Sequence, residues 1–209
     1  MNTTTVAPNT PDALHQTSLA HFPVALFSTV MGTAGLALAW QKAAQVLGWP
    51  GFVGQGLAML AGLVFLVVAG FYGVKLFHHR AAARAEAAHP VKMNFVPAIS
   101  IGILLLATAW GRMAPEVASG LWGLGAAMHL VFTLRTMSAW IHHTHFQIQH
   151  LNPAWFIPVV GNIIVPLAGV RFAPAEVSWF FFSIGLVFWI VLFAIVMYRL
   201  FCHAPLALR

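Results

Sequence analysis

Apolar residues fill this chain in six long blocks, separated by short polar or charged links. The blocks run approximately over residues 19–40, 51–77, 94–111, 116–141, 153–169 and 175–201. Each comes close to the roughly 20 residues a helix needs to cross a bilayer. The pattern predicts an all-α polytopic membrane protein with six transmembrane helices in three hairpins. The links predicted between them lie around 42–50, 78–93, 112–115, 142–152 and 170–174. Residues 1–18 are rich in Thr, Asn and Pro and read as a mobile N-terminal tail before a helical domain over 19–209.

The blocks are not alike. Residues 152–169 carry Pro153, Pro158 and Pro166, with Gly161 and Asn162 between them. A proline removes one amide donor and crowds the carbonyl four residues back, so Pro158 frees the Ala154 carbonyl and Pro166 that of Asn162. In lipid a freed carbonyl is costly unless protein or water satisfies it. The first block has Pro23, Ser28, Thr29, Gly32, Thr33 and Gly35, and the third has Pro97, Ser100 and Gly102. The second and sixth are longer and bulkier. Small and kinked residues suit a crowded or wet interior, and bulky apolar residues suit lipid. The expected unit is a hairpin with a kinked odd helix inside and a straighter even helix outside. Close helix packing alone is the competing reading of any one glycine.

Composition agrees: 60% of residues are hydrophobic, 7% are charged and the mean hydropathy is +0.85. A soluble domain carries about a quarter charged residues. Ten Lys and Arg stand against Asp12, Glu86, Glu116 and Glu176. The basic residues lie at helix ends, so they speak for membrane orientation rather than nucleic acid. With the N-terminus cytoplasmic, the inner side receives Lys75, Arg80, Arg84, Lys92, Arg199 and Arg209, and the outer side Lys42, Arg112 and Arg171. That bias follows the positive-inside rule, and a multi-pass protein of the cell (inner or plasma) membrane is expected. Cys202 is the single cysteine, so an internal disulfide and a thiolate metal cluster are excluded.

Four stretches carry a family resemblance: Phe22-Pro-Val-Ala-Leu-Phe with Met31-Gly-Thr-Ala-Gly-Leu, His89-Pro-Val-Lys-Met-Asn-Phe-Val-Pro-Ala, Thr133-Leu-Arg-Thr, and Asn152-Pro-Ala-Trp-Phe-Ile-Pro-Val-Val-Gly-Asn. In order and spacing they resemble the tellurite-resistance/dicarboxylate transporter family, which includes bacterial tellurite-resistance channels, fungal malate transporters and plant slow anion channels. The resemblance implies ten helices in five hairpins, odd helices around a central pore, and usually a trimer. This sequence matches the first six, so it reads as a fragment or a naturally shortened form. The family's occluding phenylalanine belongs to the ninth helix, and Phe180, Phe181 and Phe182 do not take that role.

Several side chains are candidates for the conduit. Ser28, Thr29, Thr33 and Ser100 offer hydroxyls, and Gly32, Pro97, Pro158, Gly161, Asn162 and Pro166 mark the small or broken positions expected to line it. Uncharged donors bind anions weakly enough to release them; hydroxyls bonding back to their own helix are the alternative. The Asn162 amide either contacts a passing anion or caps a carbonyl freed by proline. Arg135, the one fixed charge inside a predicted span, either attracts anions to the inner mouth or snorkels to the interface. The acids nearest the spans, Glu116 and Glu176, stand at their ends, so a cation-selective acidic ring is not visible.

His142, His143, His145 and His150 cluster at one turn, and His78 and His79 at another. Lacking an acid or Cys partner, they read as interface residues rather than metal ligands. His129 alone is mid-span, which disfavours haem, and it lies on a different face from Arg135. No metal or cofactor is expected. There is no G-x-S-x-G, no phosphate-binding G-x-x-x-x-G-K-S/T and no H-E-x-x-H, so no enzyme is expected. The expected function is an anion channel or transporter for C4-dicarboxylates such as malate or small inorganic anions, linked through the family to tellurite resistance. Passive and proton-coupled transport remain open. Two other readings stand beside it: a histidine-using membrane redox or metal-binding protein, and a half-protein that needs a partner.

Overall fold

A computed structural model describes residues 19–142 and 151–202; the predicted tail, and His143, His145 and His150 of the histidine turn, lie outside the described residues. Among the described residues six helical segments are long and apolar enough to cross a membrane: Val24–Leu47, Gly51–His78, Lys92–Trp110, Pro115–His142, Pro153–Phe172 and Ala175–Cys202. They are called the first to sixth spans below. Helices suit this composition because a bilayer offers no partner for the backbone, and a helix satisfies its own N–H and C=O groups.

The second, fourth and sixth spans are each one uninterrupted α-helix of 28 residues. The odd spans are composite. The first enters through a 3-10 turn, Val24–Leu26, behind Pro23. The third enters through Lys92–Phe95 in 3-10 form and becomes α-helical only at Ala98, with Pro97 as its N-cap. Pro97 therefore sits at a helix start, where its missing N–H costs little. The fifth span is divided into four short pieces.

Two predicted links differ in the structure. The first helix runs on to Leu47 and stops at Gly48, which takes the left-handed conformation (φ 70°) that ends helices at low cost on glycine. Trp40 then donates its indole N–H to the Pro50 carbonyl at 3.0 Å, pinning the short turn. The stretch 78–93, expected as a link, contains a connector helix, Arg80–Ala88. Its sequence, Arg-Ala-Ala-Ala-Arg-Ala-Glu-Ala-Ala, is built from the strongest helix formers, a signal that hydropathy alone does not register.

Burial ranks the spans. In its most apolar window the third is 67% buried and the fifth 44%, against 22–28% for the other four. The third span is thus the core of the described bundle, with Ile101, Leu104 and Leu106 almost fully enclosed. The first span is an odd helix but is no more buried than the even ones. One of its faces packs through Phe27, Val30 and Ala34, while Ser28, Thr29 and Gly32 remain exposed on the other. The sixth presents Trp179, Phe180, Trp189 and Phe193 outward, as a lipid-facing helix would.

Candidate functional site

The break in the fifth span is where the backbone needs outside help. Asn152 opens it by accepting the Ala154 N–H at 2.8 Å, with Pro153 as the first residue of the turn. Beyond Pro158 the helix tightens to 3-10 form over Gly161–Ile164, and normal α-type pairing lapses. The carbonyls left over are taken up one by one. Pro158 O accepts the Thr133 hydroxyl at 2.7 Å, and Val159 O accepts the Asn162 amide at 2.7 Å. Asn162 O, freed by Pro166, accepts the Val165 N–H at 3.2 Å. Val165 O receives both the Gly169 N–H and the Trp122 indole N–H, the latter at 2.9 Å. The fourth span therefore lends Trp122 and Thr133 to a neighbour that cannot satisfy itself.

Asn162 also donates to the Thr133 hydroxyl at 3.0 Å. That contact uses an oxygen lone pair and leaves the single Thr133 proton for a carbonyl, with Pro158 O closer than His129 O (2.7 against 2.9 Å). Of the two roles open to the Asn162 amide nitrogen, the structure shows the capping one. Its Oδ1 is buried and has no partner among the described residues.

His129 lies one turn before Thr133 on the same face and is fully buried. Its Nδ1 is 2.9 Å from Ser100 Oγ, which is itself 2.8 Å from the Pro97 carbonyl. Its Nε2 has no partner among the described residues and packs against Gly161. A Cβ at Gly161 would stand 2.7 Å from the His129 ring and 2.6 Å from Ile101, so the fourth span approaches the broken one only because this position is glycine. Ser100, His129, Thr133, Gly161 and Asn162 thus join the third, fourth and fifth spans in one buried polar junction. Sequence reasoning weighed His129 only as a haem ligand or an Arg135 partner. The missed signal was the i, i+4 spacing of two polar residues, His129 and Thr133, within an apolar span.

The other expected positions lie elsewhere. Ser28, Thr29 and Thr33 bond back to their own helix, to Ala25 O and Leu26 O (2.7 Å each) and to Thr29 O (2.9 Å). With Gly32 they form a face of the first span separate from the junction. Pro97 and Pro158 are buried and Pro166 half-buried beside the junction, and Arg135 is exposed, on a different face of its helix from His129. Among the described residues no three His, Cys, Asp or Glu gather closely enough to hold a metal.

A second polar centre closes the starts of the first and third spans. Lys75 and Glu86, 3% and 8% exposed, form an ion pair at 2.6 Å. Lys75 Nζ also donates to Phe22 O at 2.8 Å, and Glu86 Oε1 accepts the Val24 N–H at 2.9 Å. Pro23 between them has no N–H, so the pair satisfies the exposed backbone of the first span's opening turn. Beside it His89 Nδ1 accepts the Val91 and Lys92 N–H groups at 3.2 and 3.4 Å, which leaves Nε2 as the ring nitrogen that carries the proton. His21, His89, Lys92 and the Lys75–Glu86 pair line a cavity of about 450 Å³. The Lys92 ammonium has no partner among the described residues. The one acid here is neutralised and a cation remains, so the cavity favours negative charge.

Residues 21–209 match a family model described as a voltage-dependent anion channel. An uncharacterized transporter of Methanocaldococcus jannaschii is 27% identical over 200 residues, covering 90% of this chain and 58% of the relative. The S-type anion channel SLAH3 of Arabidopsis thaliana is 27% identical over 192 residues, covering 87% of this chain and 30% of the relative. A tellurite resistance protein TehA homolog of Haemophilus influenzae is 26% identical over 171 residues, covering 81% and 52%. The chain thus spans between about a third and three fifths of the length of these relatives.

Proposed function

We propose, for a chain that belongs to the voltage-dependent anion channel family, that it builds part of a membrane conduit for anions. The carrying observation is the basic cavity at the starts of the first and third spans, where Glu86 is cancelled by Lys75 and Lys92 has no partner among the described residues. A local excess of fixed positive charge between low-dielectric walls concentrates anions and repels cations. The exposed face of the first span, Ser28, Thr29, Gly32 and Thr33, continues from this mouth as a wall of small residues. The hydroxyls there give their protons to their own helix, so this face offers small uncharged side chains and no fixed charge to trap an ion, while the attraction for anions comes from the basic mouth. Arg135 adds positive potential near the end of the fourth span. The Ser100–His129–Thr133–Asn162 junction serves behind this wall as the brace that holds Pro97, Pro158, Gly161 and Pro166 in place.

The favoured cargo is a small inorganic anion or a C4-dicarboxylate such as malate, with a homotrimer as the assembly and the cell membrane as the site. The relative named for tellurite resistance and the S-type anion channel support the class of cargo. In liposomes the protein is expected to pass anions in preference to potassium, and Lys92→Gln to lower anion flux several-fold; cation-selective flux would overturn the reading. The N-terminus is assigned to the cytoplasm, which places the exposed thiol of Cys202, at the end of the sixth span, on the same side. A membrane-impermeant maleimide added to intact cells should therefore leave Cys202 unlabelled and label it after permeabilisation.

A further inference from the structure

The connector helix Arg80–Ala88 separates two unlike cavities. On one side is the basic mouth, with His21, His89 and the Lys75–Glu86 pair in its walls. On the other is a groove of about 580 Å³ between the second, third and fourth spans, lined almost wholly by apolar side chains. Phe27 and Tyr72 lie at its buried end, and Leu76, Ile99, Met128 and Phe132 along its sides. It opens on the outside of the bundle, where Leu76 is 47% exposed. Among the described residues only two charged groups line it, Arg80 and Arg84, one helical turn apart. Both are exposed, and neither has a hydrogen-bond or ion-pair partner among the described residues. Ala83, between them in sequence, is buried against the bundle, which fixes the helix with its arginines over the groove.

We propose that this groove is a binding site for an anionic phospholipid. Its phosphate would sit between the Arg80 and Arg84 guanidiniums, and one acyl chain would lie against Ile99, Met128 and Phe132. The chemistry selects this occupant over others. Guanidinium forks match phosphate oxygens in pairs, and basic edges between membrane helices are where anionic head groups bind. A soluble anion would find two cations here but, apart from Tyr72, only apolar side chains below them. A purely apolar occupant would leave both guanidiniums unused. The site depends only on the chain crossing a membrane, not on what it transports.

The test is lipid retention by the purified full chain in native mass spectrometry, with phosphatidylglycerol and phosphatidylcholine of matched acyl chains. Phosphatidylglycerol should be retained in preference, and Arg80→Gln with Arg84→Gln should weaken that retention by roughly 10- to 30-fold. Arg80→Lys with Arg84→Lys should restore much of it. Gly73 lines the groove and a Cβ there meets nothing within 4 Å, so Gly73→Leu should block the acyl chain while leaving both arginines intact. That variant carries the test if the arginine variants do not fold. Equal retention of the two lipids, or unchanged phosphatidylglycerol retention in the variants, overturns the proposal. So does thermal stabilisation by inorganic phosphate alone equal to that by phosphatidylglycerol, which would make the site one for a free anion. A change of oligomeric state in place of lost lipid would make the groove an interface between copies, and would overturn it as well.

Discussion

The fifth and sixth spans are partners in one hairpin and are both strongly apolar, yet they solve the backbone problem in opposite ways. The sixth, Ala175–Cys202, is a single helix that closes its own hydrogen bonds and turns large side chains outward. The fifth, Pro153–Phe172, is cut by prolines into pieces and obtains missing donors from its own Asn162 and from Trp122 and Thr133 of the fourth span. The two meet where Gly185 of the sixth faces the 3-10 segment of the fifth; a Cβ there would stand 2.9 Å from the Ile163 backbone nitrogen. A continuous span can be designed locally, residue by residue. A broken one is viable only when its neighbours supply what it lacks, so its sequence cannot be understood alone.

That contrast can be broken most severely at Glu86, which performs for the first span the service the fourth performs for the fifth. Glu86→Ala leaves Lys75 buried without its partner and the Val24 N–H without an acceptor. Breaking a buried pair in this way costs about 3–5 kcal/mol, and a collapse of folded yield and thermal stability in detergent is expected. Full stability in that variant would show that the opening turn needs no outside acceptor.

Next in size is Gly161→Ala, which drives a Cβ into the His129 ring and should cost about 1–3 kcal/mol by overpacking. Gly32→Ala on the open face of the first span is its control and should change stability by less than about 0.5 kcal/mol. Equal melting temperatures for the two variants would mean that the third, fourth and fifth spans are not locked at this point.

Smaller again is Thr133→Val, nearly the same shape but without the hydroxyl that serves Pro158 O and Asn162. Hydrogen bonds between membrane helices average about 0.6 kcal/mol and reach about 1.7, so a loss near the upper end is expected because two partners are orphaned at once. Thr133→Ser should recover most of it. The least effect belongs to the unbroken span: Phe180→Leu, on an exposed face, should shift the melting temperature by no more than about 2 °C, since surface changes stay near ±0.5 kcal/mol.

Much of this architecture was written in the run of apolar residues. A block such as 175–201 has one low-energy state in lipid, and the helix Ala175–Cys202 matches it almost residue for residue. The prolines likewise announced that the fifth span would be broken. The connector helix was missed because alanine is a strong helix former and only a weak apolar one. The first helix's extension to Leu47 was missed because Gln41 and Lys42 read as a link, although a helix carries polar residues beyond the hydrocarbon region without difficulty.

The candidate sites were legible only in part. Asn162, Ser100 and the prolines drew attention as lone polar or kinked positions. Their partners did not, because hydrogen bonds such as Asn162–Thr133 and Ser100–His129 each join residues 29 positions apart. Glu86 read as an acid near a helix end, and Lys75 as one of several inner-side cations. Nothing along the chain indicated that the second span and the connector would bring them together under Pro23.

Sequence alone determined that this chain lies in a membrane, that residues 19–202 hold six helical spans, and that the fifth cannot complete its own hydrogen bonds. Those are consequences of local chemistry: water excluded from apolar runs, and prolines without an N–H. Which hydroxyl meets Pro158, which glycine admits His129, and which cation cancels Glu86 were decided by tertiary structure. Each depends on the distance between helices packed side by side, and no local rule specifies that distance.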